Sequence, residues 1–182
     1  MKHALVVGGT GMLADVSIWL LDQGYHVSII ARNSVRLHQL MERTSFKNKL
    51  TPLLVDYRNS DELQQQVHTT IEQNGEINLI VAWIHAKAPD ALEVIAKEVS
   101  AHTADLELFH VLGSSKDLSK TKQEATFTKD STYYQVRLGF VIKNNYSRWL
   151  TNKEISSGVI EALKQKDTIR TIGQIEPWER RP

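Results

Sequence analysis

The chain contains no cysteine, which excludes a disulfide framework, a thiolate metal site and a cysteine nucleophile. It lacks an excess of charge: 22 lysines and arginines face 21 acidic residues, for a net +1. Nothing in that balance points to nucleic acid or an acidic membrane surface as a partner. No apolar run approaches the roughly 18 residues that suggest a membrane span. The opening Met1-Lys2-His3-Ala4-Leu5-Val6-Val7 has the outline of a secretory leader, but its apolar run stops at Gly8-Gly9, too soon for an h-region. It reads as a strand, and a cytoplasmic protein is expected. Internal repeats and low-complexity stretches are also lacking. The seven histidines show neither H-x-x-x-H nor H-x-H spacing, so no metal site is expected.

What is present suits one globular domain: 182 residues, of which 41% are hydrophobic. Short apolar runs alternate with amphipathic stretches, the pattern of a parallel sheet covered by helices. Strands are predicted at Ala4–Val7, His26–Ala31, Leu53–Val55, Ile77–Ile84 and Leu106–Leu112. Helices are predicted between them at Met12–Gln23, Ser34–Arg43, Asp61–Gln73 and from Pro89-Asp90 to Ser100. Gly24 and Asn74-Gly75 are stop signals, and Asn33 or Ser34 is a cap. The rhythm then breaks. Asp117–Ser131 is polar without an apolar stripe and reads as a loop with room for one short turn of helix. Tyr134–Ile142 alternates and reads as a sixth strand, with Tyr134, Val136, Leu138, Phe140 and Ile142 on one face and Gln135, Arg137 and Gly139 on the other. Thr151-Asn152-Lys153-Glu154 is a capping box opening a helix to about Lys166, and Thr168–Ile175 reads as a last strand. The expected architecture is α/β: a doubly wound, mostly parallel sheet of about six to seven strands in a single domain spanning residues 1–182.

The most informative stretch is Gly8-Gly9-Thr10-Gly11-Met12-Leu13-Ala14, a G-x-x-G-x-x-A pattern between the first strand and the first helix. A pyrophosphate needs to approach backbone N–H groups at a helix N-terminus, where the dipole also favours negative charge. Gly8 permits a tight turn, Gly11 keeps a Cβ out of the phosphate's way, and Ala14 lets the helix sit close to the strand. This is the dinucleotide-binding fingerprint of a Rossmann fold. A P-loop is excluded because no Lys-Ser/Thr pair follows the glycines. Cofactor choice turns on the end of strand two. An acidic residue there binds the ribose hydroxyls of NAD(H). Here Arg32 takes that place, with Ser34 and Arg36 close behind, and a guanidinium suits the 2′-phosphate of NADP(H) in charge and in geometry. NADP(H) is therefore expected over NAD(H).

With Asp56-Tyr57 at the end of strand three, the sequence resembles the short-chain dehydrogenase/reductase superfamily, and in its glycine spacing the extended and atypical branches. The resemblance covers roughly residues 1–115 well and the remainder loosely. It implies adenine contact by Asp56, and cofactor contacts from Gly8, Thr10, Gly11, Met12, Leu13, Arg32, Asp56 and Tyr57. It also departs from the family. The catalytic Tyr-x-x-x-Lys is absent, since Tyr133 with Arg137 lies on a strand pattern and arginine does not tune a phenol as lysine does. Trp83-Ile84-His85-Ala86 stands where the family has Asn-Asn-Ala-Gly. Ser114 follows strand five as the family's serine does, and His85 follows strand four at the edge where ligands bind. These two are the catalytic candidates, each set against an ordinary structural role.

Two functions follow as expectations. One is an NADP(H)-dependent oxidoreductase moving hydride to or from a small carbonyl-type substrate. The other is a non-catalytic dinucleotide-binding sensor or partner-binding module, which the missing Tyr-x-x-x-Lys favours. Trp19 is expected in the core. Trp83, Trp149 and Trp178 are expected to wall a pocket or fill an interface. No substrate-binding insertion is evident after strand six, and loss of the helix that carries the Tyr-x-x-x-Lys pair in the family leads to the expectation of a homo-oligomer.

Overall fold

The computed structural model describes residues 2–85, 88, 90–113 and 131–182. In chain order these form β1 (His3–Val7), α1 (Ala14–Asp22), β2 (His26–Ala31), α2 (Ser34–Glu42), β3 (Leu50–Leu54), α3 (Ser60–Asn74), β4 (Leu79–Trp83), α4 (Ala91–Ser100) and β5 (Leu106–Leu112). They continue with β6 (Ser131–Leu138), β7 (Phe140–Lys143), β8 (Tyr146–Trp149), α5 (Asn152–Gln165) and β9 (Ile169–Ile172). Seven strands make one sheet in the order β3-β2-β1-β4-β5-β6-β9. Every neighbouring pair in it is parallel. The order runs outward from β1 in both directions, so a crevice opens at the carboxyl ends of β1 and β4, the switch point where open α/β sheets bind ligands.

The continuous apolar runs of β1 and β4 follow from burial on both faces. Alternate β1 residues enter opposite layers. Ala4 and Val6 pack with Val16 and Leu20 of α1 and with Ile155 and Val159 of α5. Leu5 and Val7 pack with Leu63 and Val67 of α3 and with Leu92 and Ile95 of α4. Trp19, expected in the core, is only partly buried and packs against the margin of the first layer. The helix ends obey local chemistry. The Asn33 side chain accepts the Arg36 N–H, and Gly24 and Gly75 take φ of +87° and +90° past the ends of α1 and α3. Thr151 and Glu154 form the expected reciprocal capping box on α5. No helix among the described residues is long and apolar enough to cross a membrane.

The expected single strand Tyr134–Ile142 is not one strand. β6 ends at Leu138, and the chain turns into an antiparallel hairpin of β7 and β8. Gly139 lies so close to Gln174 that a Cβ there would stand 2.2 Å from the Gln174 carbonyl oxygen. Phe140 then exchanges both backbone hydrogen bonds with Gln174, at 2.9 Å each, and leaves the sheet. The hairpin closes on Asn144 and Asn145, with φ of +49° and +64°, the conformation of a two-residue primed turn. A short hairpin, not expected from the sequence, therefore follows β6. The alternation survived the break because Phe140 is still buried. The expected loop Asp117–Ser131 lies outside the described residues, except Ser131, which opens β6.

Candidate functional site

The glycine turn joins β1 to α1 at the carboxyl edge of the sheet. Gly8 has φ of +81°, and a Cβ there would press on the Trp83 carbonyl oxygen at 3.2 Å, so the tight turn requires glycine. Tight turns follow: the Gly11 N–H donates to Gly8 and the Ala14 N–H to Gly11, at 3.3 and 3.0 Å. The helix proper starts at Ala14, two residues later than expected. Gly11 is different in kind. A Cβ there would meet only the Gly8 carbonyl oxygen, at 3.9 Å, so its lack of a side chain keeps open space clear rather than relieving a protein contact. Gly9 has the closest packing of the three: a Cβ would fall 2.7 Å from Ser17 Oγ and 3.0 Å from both Ile29 and Val6. The close approach of helix to strand that the sequence assigned to Ala14 thus rests on Gly9 as well, a role the sequence reading missed.

A cleft of about 690 Å³ opens in front of this turn, lined by Gly8, Thr10, Gly11, Met12, Arg32, Tyr57, Trp83 and His85 among others. It gathers most of the residues expected from the sequence. Two stand apart. Leu13 is fully buried in the core, so only its backbone is placed to meet a ligand. Asp56 is turned to Arg58, which grips its carboxylate through Nε at 3.0 Å to both oxygens. That fork and the Arg58 backbone N–H hold the Asp56 carboxyl down at about 2. Arg32 Nη1 lies 3.9 Å from Asp56, and its guanidinium stands over the Tyr57 ring at 5.7 Å. With Asp56 committed to Arg58, Arg32 and Arg36 leave this end of the cleft with surplus positive charge.

At the other end Trp83 closes the floor. Its indole runs from Gly8, where a Cβ would be 3.5 Å from Cδ1, to Gly113, where a Cβ would be 3.3 Å from Cη2. Both glycines leave room for this ring. His85 lines the cleft, and its backbone N–H donates to the Tyr57 hydroxyl at 3.4 Å. Ser114 lies outside the described residues. Asn152 at the start of α5 also lines the cleft, a contribution no motif announced. α5 is tied to the glycine turn by Ser156 Oγ, which donates to the Met12 carbonyl at 2.6 Å. Tyr133 and Tyr134 point elsewhere. The Tyr134 hydroxyl donates to Glu107 at 3.2 Å, near the amino end of β5, and Tyr133 is hydrogen-bonded to His110.

This sheet order, with a glycine turn at the switch point, is the fold of short-chain dehydrogenase/reductases. A short-chain dehydrogenase/reductase from Serratia marcescens superposes with a TM-score of 0.73 at 15% identity, over 94% of this chain and 96% of that one. A β-ketoacyl-[ACP] reductase from Bacteroides thetaiotaomicron gives 0.71 at 14%, over 95% and 96%. A variant of the actinorhodin polyketide ketoreductase, solved with NADPH, gives 0.74 at 12%, over 94% and 95%. At such identities the likeness defines the fold. The sequence matches no protein-family model, and no curated protein sequence matches it.

Proposed function

We propose that the chain binds NADP(H) in this cleft and is an oxidoreductase of the short-chain dehydrogenase type, acting on a small carbonyl-type substrate. The observation that carries the reading is the glycine turn, whose Gly11 faces open space in a cleft also lined by Arg32 and Arg36. The residues present fit such a cofactor. Backbone N–H groups around Thr10, Met12 and Leu13, at the head of α1, suit a pyrophosphate. Arg32 and Arg36 suit a 2′-phosphate, Tyr57 offers a ring face beside them, and Trp83 offers a flat floor towards β5. When bound, the nicotinamide supplies or accepts the hydride. The protein's share is to hold and orient the reacting groups. His85 is positioned at the cleft to exchange a proton with a substrate oxygen, and Ser114 is the second candidate for that task.

A second reading, a dinucleotide-binding module without catalysis, is favoured by one feature: the chain has no Tyr-x-x-x-Lys. Both readings require the cofactor. Calorimetric titration with NADPH should show binding by the natural protein and none by Gly11→Val, whose urea midpoint should stay close to the parent's. Normal binding by Gly11→Val would remove the pyrophosphate from this turn. Turnover of NADPH with small ketones and aldehydes then separates the two readings: binding without any turnover favours the module.

A further inference from the structure

On the far side of α3 and α4 from the sheet, two pairs of side chains meet. His68 and Glu72 stand one turn apart on α3, while Glu98 lies near the end of α4 and His102 in the turn that follows it. We propose that His68, Glu98 and His102 form a binding site for one divalent transition-metal ion, Zn²⁺ by its donor set, that ties α3 to α4.

Glu98 is the centre of the arrangement. Its carboxylate is 11% exposed, unusually low for a surface helix. Oε2 accepts from Gln64 Nε2 at 2.9 Å, which fixes the plane of the group. Oε1 is then presented to both imidazoles, 2.8 Å from His68 Nδ1 and 3.9 Å from His102 Nδ1. The two rings lie with centroids 5.4 Å apart. One ligand atom from each of the three residues falls within 4.8 Å of the others. A tetrahedral ion with bonds of about 2.0–2.1 Å needs ligand atoms about 3.3 Å apart. The histidine side chains, 46% and 33% exposed, can make that adjustment by small rotations.

The outer contacts are those a metal-bound histidine uses. His68 Nε2 faces Glu72 Oε1 at 3.5 Å, so Nδ1 can turn to an ion while the opposite N–H is held by a carboxylate. The His102 ring is anchored through Nδ1 to the Glu98 carbonyl oxygen at 2.9 Å, so Nε2 carries the lone pair that is free for the ion. Two imidazoles and one carboxylate suit Zn²⁺ better than Mg²⁺ or Ca²⁺, which prefer all-oxygen shells. The adjoining groove, lined by Asp61, Gln64 and Gln65, leaves room for a water as the fourth ligand. His–His spacing could not reveal this site, because its two histidines come from separate segments of the chain.

Equilibrium dialysis against Zn²⁺, read by elemental analysis, tests the proposal. The natural protein should take up one ion per chain. His68→Ala and His102→Ala should each weaken uptake at least about tenfold, since losing even an outer-contact partner costs on the order of 10–100-fold. Co²⁺ should give the visible bands of a tetrahedral nitrogen–oxygen site in the natural protein and none in the double variant. Zn²⁺ should raise the Tm of the natural protein only. The substituted residues are surface side chains, and circular dichroism of each variant verifies the fold. Absence of saturable uptake by the natural protein, or equal uptake by the double variant, would overturn the proposal.

Discussion

Protonation of His3 should destabilise this fold between neutral and mildly acidic pH. His3 is fully buried on β1. Its Nδ1 is 2.8 Å from the Gly75 carbonyl oxygen and its Nε2 2.8 Å from Ser28 Oγ. A carbonyl only accepts, so Nδ1 carries the hydrogen and Nε2 accepts from Ser28. Ser28 in turn accepts from Thr70 at 2.8 Å, and Thr70 accepts from Asn74 at 2.9 Å. The chain of bonds is complete with a neutral ring. Burial pushes the His3 pKa down from 6.5 to about 4, against the opposing pull of the Gly75 carbonyl, with His26 adding a smaller push in the same direction. Because the folded value is depressed, the stabilisation is present above pH 6.5 and is lost as pH falls towards 4. Linkage between those two values gives a loss of about 3 kcal/mol from pH 7 to pH 4. Urea unfolding of the natural protein and of His3→Gln, at pH 7, 6, 5 and 4, isolates this contribution, since all other titrations are shared. The stability gap between the two proteins should shrink by about that amount across the series. A gap that stays constant would show that His3 does not titrate on unfolding, and would refute the assignment of its neutral, buried state.

Four further outcomes are expected. NADP(H) should bind more tightly than NAD(H) by about 1–3 kcal/mol in calorimetry, the worth of charge-assisted contacts; Arg32→Glu should erase or invert that gap, and equal affinities in the natural protein would sink the assignment. Gly9→Val should destabilise the fold by about 1–3 kcal/mol in urea unfolding through overpacking against Ser17, Ile29 and Val6, whereas Gly11→Val should cost far less; equal losses would show that the two glycines were wrongly distinguished. Tyr133→Phe and Tyr134→Phe should leave any reductase turnover within a few-fold, because Tyr134 reaches Glu107 and Tyr133 reaches His110; a loss of roughly 100-fold, as for a general acid, would place one of them at the chemistry. Sedimentation equilibrium should find a homo-oligomer, with Trp149 and Trp178, 49% and 47% exposed, as the first residues to test at the interface; a monomer of 20.7 kDa would refute it.

The glycine-turn edge of the fold was legible because its determinants are local. A strand, a glycine turn, a helix and a second strand follow one another within Ala4–Ala31, and each carries its own signal. Arg32 was readable for the same reason, since its place is set by the end of β2. What the sequence hid depended on contacts between distant segments. Gly139 reads as one more alternating residue until Gln174 is laid against it. The only local hint of the hairpin was Asn144-Asn145, a pair that tolerates positive φ. Asn152 enters the cleft because Ser156 ties α5 to Met12, across 144 residues of sequence. Trp83 shows how the two kinds of information combine. Its departure from the Asn-Asn-Ala-Gly of the family that the sequence resembles was visible in the sequence, but its consequence was not. The indole lies between Gly8 and Gly113, over the ends of strands β1, β4 and β5. A residue that fills this part of the edge with a flat apolar ring cannot supply the hydrogen bonds of an asparagine there. That makes His85, two residues on, exposed and lining the same cleft, the first side chain to replace when turnover is measured.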